Sequence, residues 1–160
     1  MEIKKIKLND KHVQIMYEIR NDSGGVDSHT VCSTDKPLPS LVMALQALQP
    51  DVLTFLELPA SYGKTMRVTG VVFAKIVQKK KQGGGMIETE IMQVSIHARK
   101  NLIGTSQPVN LVTPSRLAQV RNDTDTNTPL SATTLDRLEK VCAEVKRYIA
   151  GERAQGELFE

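Results

Sequence analysis

The sequence predicts an α+β domain in which helices pack on one antiparallel sheet. Three observations support this fold class. Apolar and polar residues alternate in two regions, a proline-bounded apolar segment lies between them, and apolar residues recur every three or four positions near the C terminus. The chain has 160 residues, 40% hydrophobic and 24% charged, as in a globular protein. The predicted order is β-β-β-α-β-β-α, with about five strands and two helical segments.

The first third of the chain predicts three strands joined by tight turns. A short strand is expected over Ile3–Leu8, and alternation of apolar and polar residues predicts a second over Val13–Arg20. The segment Asn21–Gly25 reads Asn-Asp-Ser-Gly-Gly, a strong turn signal, and it leads to a third strand near Val26–Ser33. These strands are therefore expected to form a meander of two hairpins.

Prolines bound the first helical region. Ser40 is a suitable N-cap for the apolar residues that follow it, which share one helical face. Pro50 cannot lie in the middle of a helix without a kink, so a second short helical segment is predicted over Asp51–Leu58. Pro59 ends this segment.

A second pair of strands follows, with a long hairpin tip over residues 78–85 and a partner strand over Met86–Lys100. In this partner strand, the alternation places apolar side chains on one face and polar ones on the other. In the strand before the tip, both faces carry apolar residues, so it is expected to be covered on both sides. The prediction places Val68, Gly70, Val72, Ala74 and Ile76 on one side, and Val71 and Phe73 on the other.

The remainder of the chain predicts a loop, a helix and a tail. Asn, Thr, Ser and Pro are frequent after residue 100, which is typical of irregular structure. Ser131 is then expected to cap an amphipathic helix that Gly151 terminates. The predicted organisation is an α+β body over 1–105, an irregular linker or loop over 106–130, a helix packed on the body over 131–151, and an exposed tail peptide over 152–160.

The sequence contains no pattern of catalytic or metal-binding residues. His12, His29 and His97 lack metal-ligand spacing to another His or Cys, and no Gly-x-Ser-x-Gly motif occurs. We therefore expect a protein that is not an enzyme, with no metal ion and no cofactor. Cys32 and Cys142 are interpreted as core thiols of a reducing cytoplasm. No apolar run approaches the roughly 20 residues of a membrane helix, so no membrane contact is expected.

Basic residues concentrate in and around the predicted hairpin tip. A long hairpin can carry lysines along a phosphate backbone, and its glycines let it adapt to the phosphates. With few aromatic side chains available for base stacking, such binding would be salt-sensitive and weakly sequence-specific. The alternative is that the lysines only keep the hairpin soluble. The candidate nucleic-acid-binding residues are Lys79, Lys80, Lys81, Gly83 and Gly84 in the tip, with Arg99 and Lys100 extending the patch at the other end of the partner strand.

The C-terminal residues predict a docking peptide. The segment reads Gln155-Gly156-Glu157-Leu158-Phe159, with two apolar residues at the end of a polar tail. It resembles the peptide by which bacterial replication and repair proteins bind the β sliding clamp. The resemblance assigns partner binding to Gln155, Glu157, Leu158 and Phe159, whereas Gly156 departs from the Leu often found second. The alternative is that Leu158 and Phe159 fold back onto the body.

Several segments together resemble a family of small proteins encoded by tailed phages and prophages of Gram-positive bacteria. They are Tyr17–Asn21 before the Gly-Gly turn, Leu38-Pro39-Ser40, Glu57-Leu58-Pro59, Val68–Val71 and the ending Gly151–Phe159. Such proteins tend to come from DNA-metabolism gene neighbourhoods. The resemblance implies a cytoplasmic protein of the infected bacterial host, and it brings no assigned activity or site residues.

The sequence therefore predicts a non-enzymatic phage accessory protein of DNA replication or recombination. Its partners would be DNA of undetermined strand state, or a recombination partner, and the host sliding clamp. The alternative function is a phage inhibitor of a host protein, or a protein that sequesters a host signalling nucleotide. A homo-oligomer formed through exposed sheet edges is compatible with each of these functions.

Overall fold

The fold is described from a computed structural model that covers residues 1–122 and 124–158, without the side chains of residues 82 and 155–158. Over these residues the chain forms strands, α-helices and one 3-10 helix. The strands are β1 (Glu2–Leu8), β2 (Val13–Arg20), β3 (Val26–Ser33), β4 (Asp35–Pro37), β5 (Met66–Gln82), β6 (Gly85–Lys100), β7 (Val109–Val112), β8 (Arg116–Leu117) and β9 (Arg153–Leu158). The helices are α1 (Pro39–Gln46), α2 (Gln49–Phe55), a 3-10 helix (Ala60–Thr65) and α3 (Ala132–Ile149).

Within the described residues, a seven-stranded antiparallel sheet forms the body in the order β3-β2-β1-β5-β6-β7, with β8 also pairing with β6. The α+β class is confirmed. The strand count is higher than the predicted one because β4, β7, β8 and β9 were not expected. The predicted linker over 106–130 contains β7 and β8, which are too short to show alternation and depend on the ladder that β6 offers.

The core lies between one face of the sheet and the α-helices. Val13 and Ile15 of β2 are fully buried there, whereas Met16, the residue that follows Ile15, is exposed on the opposite face. The predicted alternation of β6 is confirmed, because Val94, Ile96 and Ala98 all face this core. The helices and the turn between α1 and α2 contribute the following buried side chains: Leu41, Leu45, Leu48, Val52, Leu138, Val141, Val145 and Tyr148.

Helix α3 forms where its capping residues predict it. The Ser131 side chain accepts a hydrogen bond from the Thr134 amide at 3.1 Å, which satisfies one of the free N–H groups of the first turn. Gly151 follows the helix with φ 98°, a conformation that favours glycine. The helix is tied to α2 by Asp51, whose buried carboxylate accepts from the Thr134 hydroxyl at 2.6 Å and pairs with Arg137 at 3.0 Å.

The hairpin of β5 and β6 is longer and more regular than predicted. The ladder continues to the pair formed by Gln82 and Gly85, so Lys79, Lys80 and Lys81 lie on a strand rather than in a loop. Gly83 and Gly84 alone form the turn, with φ of 58° and 83°. Positive φ at both central residues is the requirement of a type I′ hairpin turn.

The C-terminal segment differs from the predicted exposed tail over 152–160. Residues Arg153–Leu158 form β9, which pairs antiparallel with β4 through Asp35 with Leu158 and Pro37 with Arg153. The backbone of this segment is therefore held against the body, whereas the alternative that Leu158 and Phe159 fold back concerns side chains outside the described part of the structure. Phe159 and Glu160 lie outside the described residues.

Candidate nucleic-acid interface

The distal part of the β5–β6 hairpin projects from the sheet. β1 pairs with β5 over Gly70–Val72, and β8 pairs with β6 at Gln93 and Val94. In the described part of the chain, residues 77–90 have only each other as ladder partners. We call this segment the arm; at about 3.3 Å per residue it extends roughly 20 Å beyond the last supporting strand.

The lysines of the arm lie on both of its faces. Lys79 and Lys81 share one face and Lys80 lies on the other, because successive side chains of a strand alternate. Lys79 is 3.6 Å from the Glu88 carboxylate on the opposing strand. Lys80 and Lys81 are exposed and form no ion pair with any described residue. Two cationic side chains near the end of the arm therefore remain available to an external anion.

The base of the arm is fixed by charge pairs. Lys75 lies 2.8 Å from Glu2 and 3.1 Å from Glu90. The hydrogen bond to Glu2, followed by the one to Glu90, raises the pKa of Lys75 above its ordinary value. Lys75 therefore links β1 to both strands of the hairpin, and its charge is balanced within the protein.

Arg99 and Lys100 do not extend the basic patch of the arm. They lie at the opposite end of β6, roughly 45 Å along the strand from the residue opposite Lys81. Lys100 is only 8% exposed; its ammonium donates to the Thr65 hydroxyl at 2.7 Å and lies over the Tyr62 ring. The sequence predicts Arg99 and Lys100 as an extension of the basic patch at the other end of the strand, and the structure places both of them apart from the arm.

Arg99 belongs instead to a charge cluster at the far end of the sheet. Its guanidinium is 3.2 Å from Asp10, which also pairs with Arg67 at 3.1 Å. The hydrogen bond from Arg67, and then the one from Arg99, holds the pKa of Asp10 below its ordinary value. These pairs join the β1–β2 turn to β5 and β6.

A groove runs between the base of the arm and the loop that follows β8. It consists of two adjoining depressions of about 390 and 660 Å³, which share Ile76, Arg121 and Asn127 in their walls. Phe55, Gln93 and Arg116 contribute to the first depression. Gln78, Lys79 and Asp125 contribute to the second. Because Lys79 also belongs to the arm, the two surfaces are continuous. We call this depression the loop groove.

Local hydrogen bonds shape the loop that walls this groove. The Gln78 amide donates to the Arg121 carbonyl oxygen at 2.6 Å, which attaches the loop to β5. The Asp125 carboxylate accepts from the backbone N–H groups of Arg121 and Asn127 at 3.1 and 3.0 Å. The N–H of Arg121, and then that of Asn127, lowers the pKa of Asp125. These hydrogen bonds attach the loop to β5 and hold the backbone at Arg121 and Asn127 around the Asp125 carboxylate.

Two guanidinium groups lie in the loop groove. The Arg116 guanidinium lies over the Phe55 ring, with 4.0 Å between the guanidinium carbon and the ring centroid, and it forms no ion pair with any described residue. Arg121 is 49% exposed and lies 3.5 Å from Asp125. The sequence analysis missed both residues, because they lie in a segment predicted to be irregular. The presence of two arginines in this polar segment was the feature of the sequence that could have indicated an anion-binding site.

The sheet face opposite the core carries further positive charge. Lys5 and Lys7 of β1 lie on this face, and Lys7, Gly70 and His97 are paired in one row across three strands. Partial burial, followed by repulsion from Lys7 and Lys5, lowers the pKa of His97. The protein therefore stabilises the neutral form of this imidazole.

Other kinds of site find little support in the described residues. They include no group of three or more His, Cys, Asp or Glu side chains placed to hold a metal ion. No helix among them is long and apolar enough to cross a membrane. Cys32 is exposed, so its interpretation as a core thiol is wrong, whereas Cys142 is partly buried; both are free thiols. Burial raises the pKa of Cys142, so its reactive thiolate form is disfavoured.

No protein-family model, curated protein or solved structure matches this chain. The resemblance to phage proteins therefore stays a prediction from sequence. Arguments about function depend on the arm, the loop groove and the C-terminal strand themselves.

Proposed function

We propose that this protein binds nucleic acid through the arm and serves as a non-enzymatic accessory protein of phage DNA replication or recombination. The observation that carries the proposal is the position of Lys80 and Lys81, exposed near the end of a projecting arm without an ion-pair partner among the described residues. Phosphate oxygens are the anions that such a pair of lysines would meet on a nucleic acid.

The shape of the arm supports the same proposal. A two-stranded ribbon can enter the major groove of a duplex or lie along a phosphate backbone. The tight Gly83–Gly84 turn keeps the end of the arm narrow. The arm residues offer lysines and aliphatic side chains but no aromatic ring for base stacking. Binding should therefore be electrostatic and tolerant of sequence.

The double substitution Lys80→Ala, Lys81→Ala tests the arm. Fluorescence anisotropy with labelled DNA over a salt series should give weaker binding and a smaller slope of log K against log salt. Two lost phosphate contacts reduce this slope by about 1.4 on a single strand and about 1.8 on a duplex. The charge-matched control is Lys64→Ala, Lys140→Ala, at exposed positions outside the arm. Equal slopes for the parent and the arm variant would show that Lys80 and Lys81 do not contact DNA phosphates.

The second part of the proposal concerns the C-terminal segment. We propose that Gln155, Glu157, Leu158 and Phe159 dock on the host sliding clamp, which would place the protein at the replication machinery. Tethering of this kind raises the local concentration of the arm near DNA without a strong contact of its own. Because Arg153–Leu158 pairs with β4 in the free protein, docking in the extended form of a clamp peptide requires β9 to leave β4.

A further inference from the structure

The loop groove is a second basic surface, distinct from the arm residues that the sequence predicted. It contains Arg116 and Arg121, and Lys79 connects it to the arm. Gln93, Asn127 and Thr128 add polar groups to its walls. Among the described residues in its walls, Asp125 is the single carboxylate, and this group already pairs with Arg121. The groove thus combines concave shape with an excess of positive charge.

We infer that the loop groove holds the phosphodiester backbone of a single nucleic-acid strand, with Arg116 and Arg121 on its phosphates. The inference deepens the proposed function, because it assigns the strand state that the arm alone leaves open. A strand leaving the groove along β5 would meet Lys79 and then the exposed lysines of the arm.

Arg116 has the geometry of a phosphate ligand. The Arg116 guanidinium carbon lies 4.0 Å from the centre of the Phe55 ring, and this cation–π contact restricts the position of the guanidinium group. A planar fork of N–H donors matches two oxygens of one phosphate, and a group held in place loses little entropy on binding. Because the Phe55 face is covered by the guanidinium, this ring does not serve as a base-stacking platform.

Arg121 contributes a second charge on an anchored backbone. The Gln78 amide and the Asp125 carboxylate hold its carbonyl oxygen and its N–H group. The contact between its guanidinium and Asp125 is long, at 3.5 Å through the Nε atom. The terminal nitrogen atoms of Arg121 form no hydrogen bond with the described residues. They can therefore reach a phosphate without breaking a short ion pair.

The dimensions of the groove favour one strand over a duplex. Depressions of about 390 and 660 Å³ fall in the range of about 300–1,000 Å³ that encloses a ligand of nucleotide size. A duplex is much wider than a single nucleotide and would contact only the rims of such a groove. Two depressions in series suit consecutive nucleotides of one chain, whereas a free mononucleotide would fill only one of them.

The test compares three probes on the full chain: a labelled oligothymidine, a duplex of mixed sequence and thymidine monophosphate. Arg116→Gln and Arg121→Gln are measured separately against the charge-matched control Arg20→Gln, an exposed arginine of β2. Each groove substitution should weaken oligothymidine binding about tenfold, as expected for a charge-assisted hydrogen bond. Each should also reduce the salt slope by about 0.7, whereas the control should change neither quantity.

Arg116→Lys separates binding from folding, because it keeps the positive charge beside Phe55 but loses the planar fork of N–H donors. It should weaken oligothymidine binding while a thermal melt stays close to that of the parent. Duplex binding as tight as oligothymidine binding, or unaffected oligothymidine binding in both Arg→Gln variants, would overturn the inference and leave the arm proposal intact. Equal affinity for the monophosphate would assign the groove to a nucleotide instead. Absence of binding to every nucleic acid would overturn the proposed function itself.

Discussion

Gly70 shows how one residue permits the close packing of β1 on β5. A Cβ atom at this position would lie 2.4 Å from the Ile6 carbonyl oxygen and 3.1 Å from the Lys7 Cα. Both atoms belong to the backbone, so neither can move aside by changing rotamer. The absence of a side chain is therefore required for the β1–β5 pairing that supports the base of the hairpin.

Gly70→Ala should destabilise the protein by about 1–3 kcal/mol, the usual cost of overpacking. Urea unfolding followed by circular dichroism measures this loss. Gly25→Ala is the control, because an added Cβ there would meet only the end of the Asn21 side chain, at 3.1 Å or more, and no backbone atom. The control should lose clearly less stability. Equal losses for the two variants would show that the contact with Ile6 is not the cause.

The same region shows why part of the residue pattern could not be predicted. The sequence placed Val68 with Val72, Ala74 and Ile76, on the assumption of uninterrupted alternation. A bulge between Val68 and Gly70 shifts the register, so Val68 faces the core together with Val71 and Phe73. A glycine inside a strand is a known signal of a bulge, but its position depends on the partner strand.

Among the side chains that the structure describes in β9, Arg153 links this strand to the body. The Arg153 guanidinium is 2.8 Å from the Asp35 carboxylate and 4.2 Å from the centre of the Tyr148 ring. The Tyr148 hydroxyl in turn donates to the Asp35 carbonyl oxygen. The β4–β9 pairing itself is short and contains a register shift. These side chains are therefore expected to contribute much of the stability of this pairing.

Arg153→Ala should free β9 and favour clamp binding. The partly exposed ion pair between Arg153 and Asp35 contributes up to about 1 kcal/mol. Its loss makes opening of the β4–β9 pairing more frequent, so amide exchange in residues 153–158 should become about two- to fivefold faster. Affinity for purified sliding clamp, measured by calorimetry, should rise by a similar factor because less pairing energy is lost on docking. Arg147→Ala is the control, since its ion pairs are to Glu144 and Glu152, outside β4.

The outcomes that would contradict these expectations distinguish the role of Arg153 in holding β9 from the docking of the C-terminal segment on the clamp. Unchanged exchange in Arg153→Ala would show that this arginine does not hold β9. Clamp binding that survives Leu158→Ala combined with Phe159→Ala, or is absent in the parent, would remove the clamp from the proposal. The arm and the loop groove would be unaffected by either result.

Strands and helices were predicted correctly where the local sequence carries a strong signal of its own. β2, β3, α3 and the β5–β6 hairpin have strong alternation, capping residues or a glycine turn, and they appear near their expected positions. The lysine run Lys79–Lys81 was read as a loop because of its polarity. In the structure it lies opposite Met86–Glu88 in a regular ladder. The polarity of a strand exposed on both faces carries no signal that distinguishes it from a loop.

At the scale of the whole molecule, the layering explains the distribution of charge. The α-helices cover one face of the sheet, and the core residues of β1, β2, β5 and β6 point toward them. The opposite face keeps Lys5, Lys7 and His97. Sequence alone could place these residues on a polar strand face but could not bring β1 beside β5, because the segments are far apart in the chain.

The pKa of His97 gives this layering a measurable consequence. Burial, then Lys7 and Lys5, lowers the pKa from its ordinary value of 6.5 in the folded protein. The unfolded chain regains the ordinary value, so it binds more protons than the folded protein as the pH falls through 6.5. Stability should therefore be fully present above pH 6.5 and decrease below it. Carboxylates with lowered pKa, such as Glu2 and Asp10, titrate at lower pH.

Urea unfolding at a series of pH values between about 5 and 7 tests this prediction, with His97→Gln expected to flatten the dependence. Lys7→Gln provides a second test. Removal of one repelling charge should raise the pKa of His97, which NMR of its ring protons can follow. A His97→Gln variant with the pH dependence of the parent would assign the effect to other groups. An unchanged ring titration in Lys7→Gln would show that the charge of Lys7 does not act on His97.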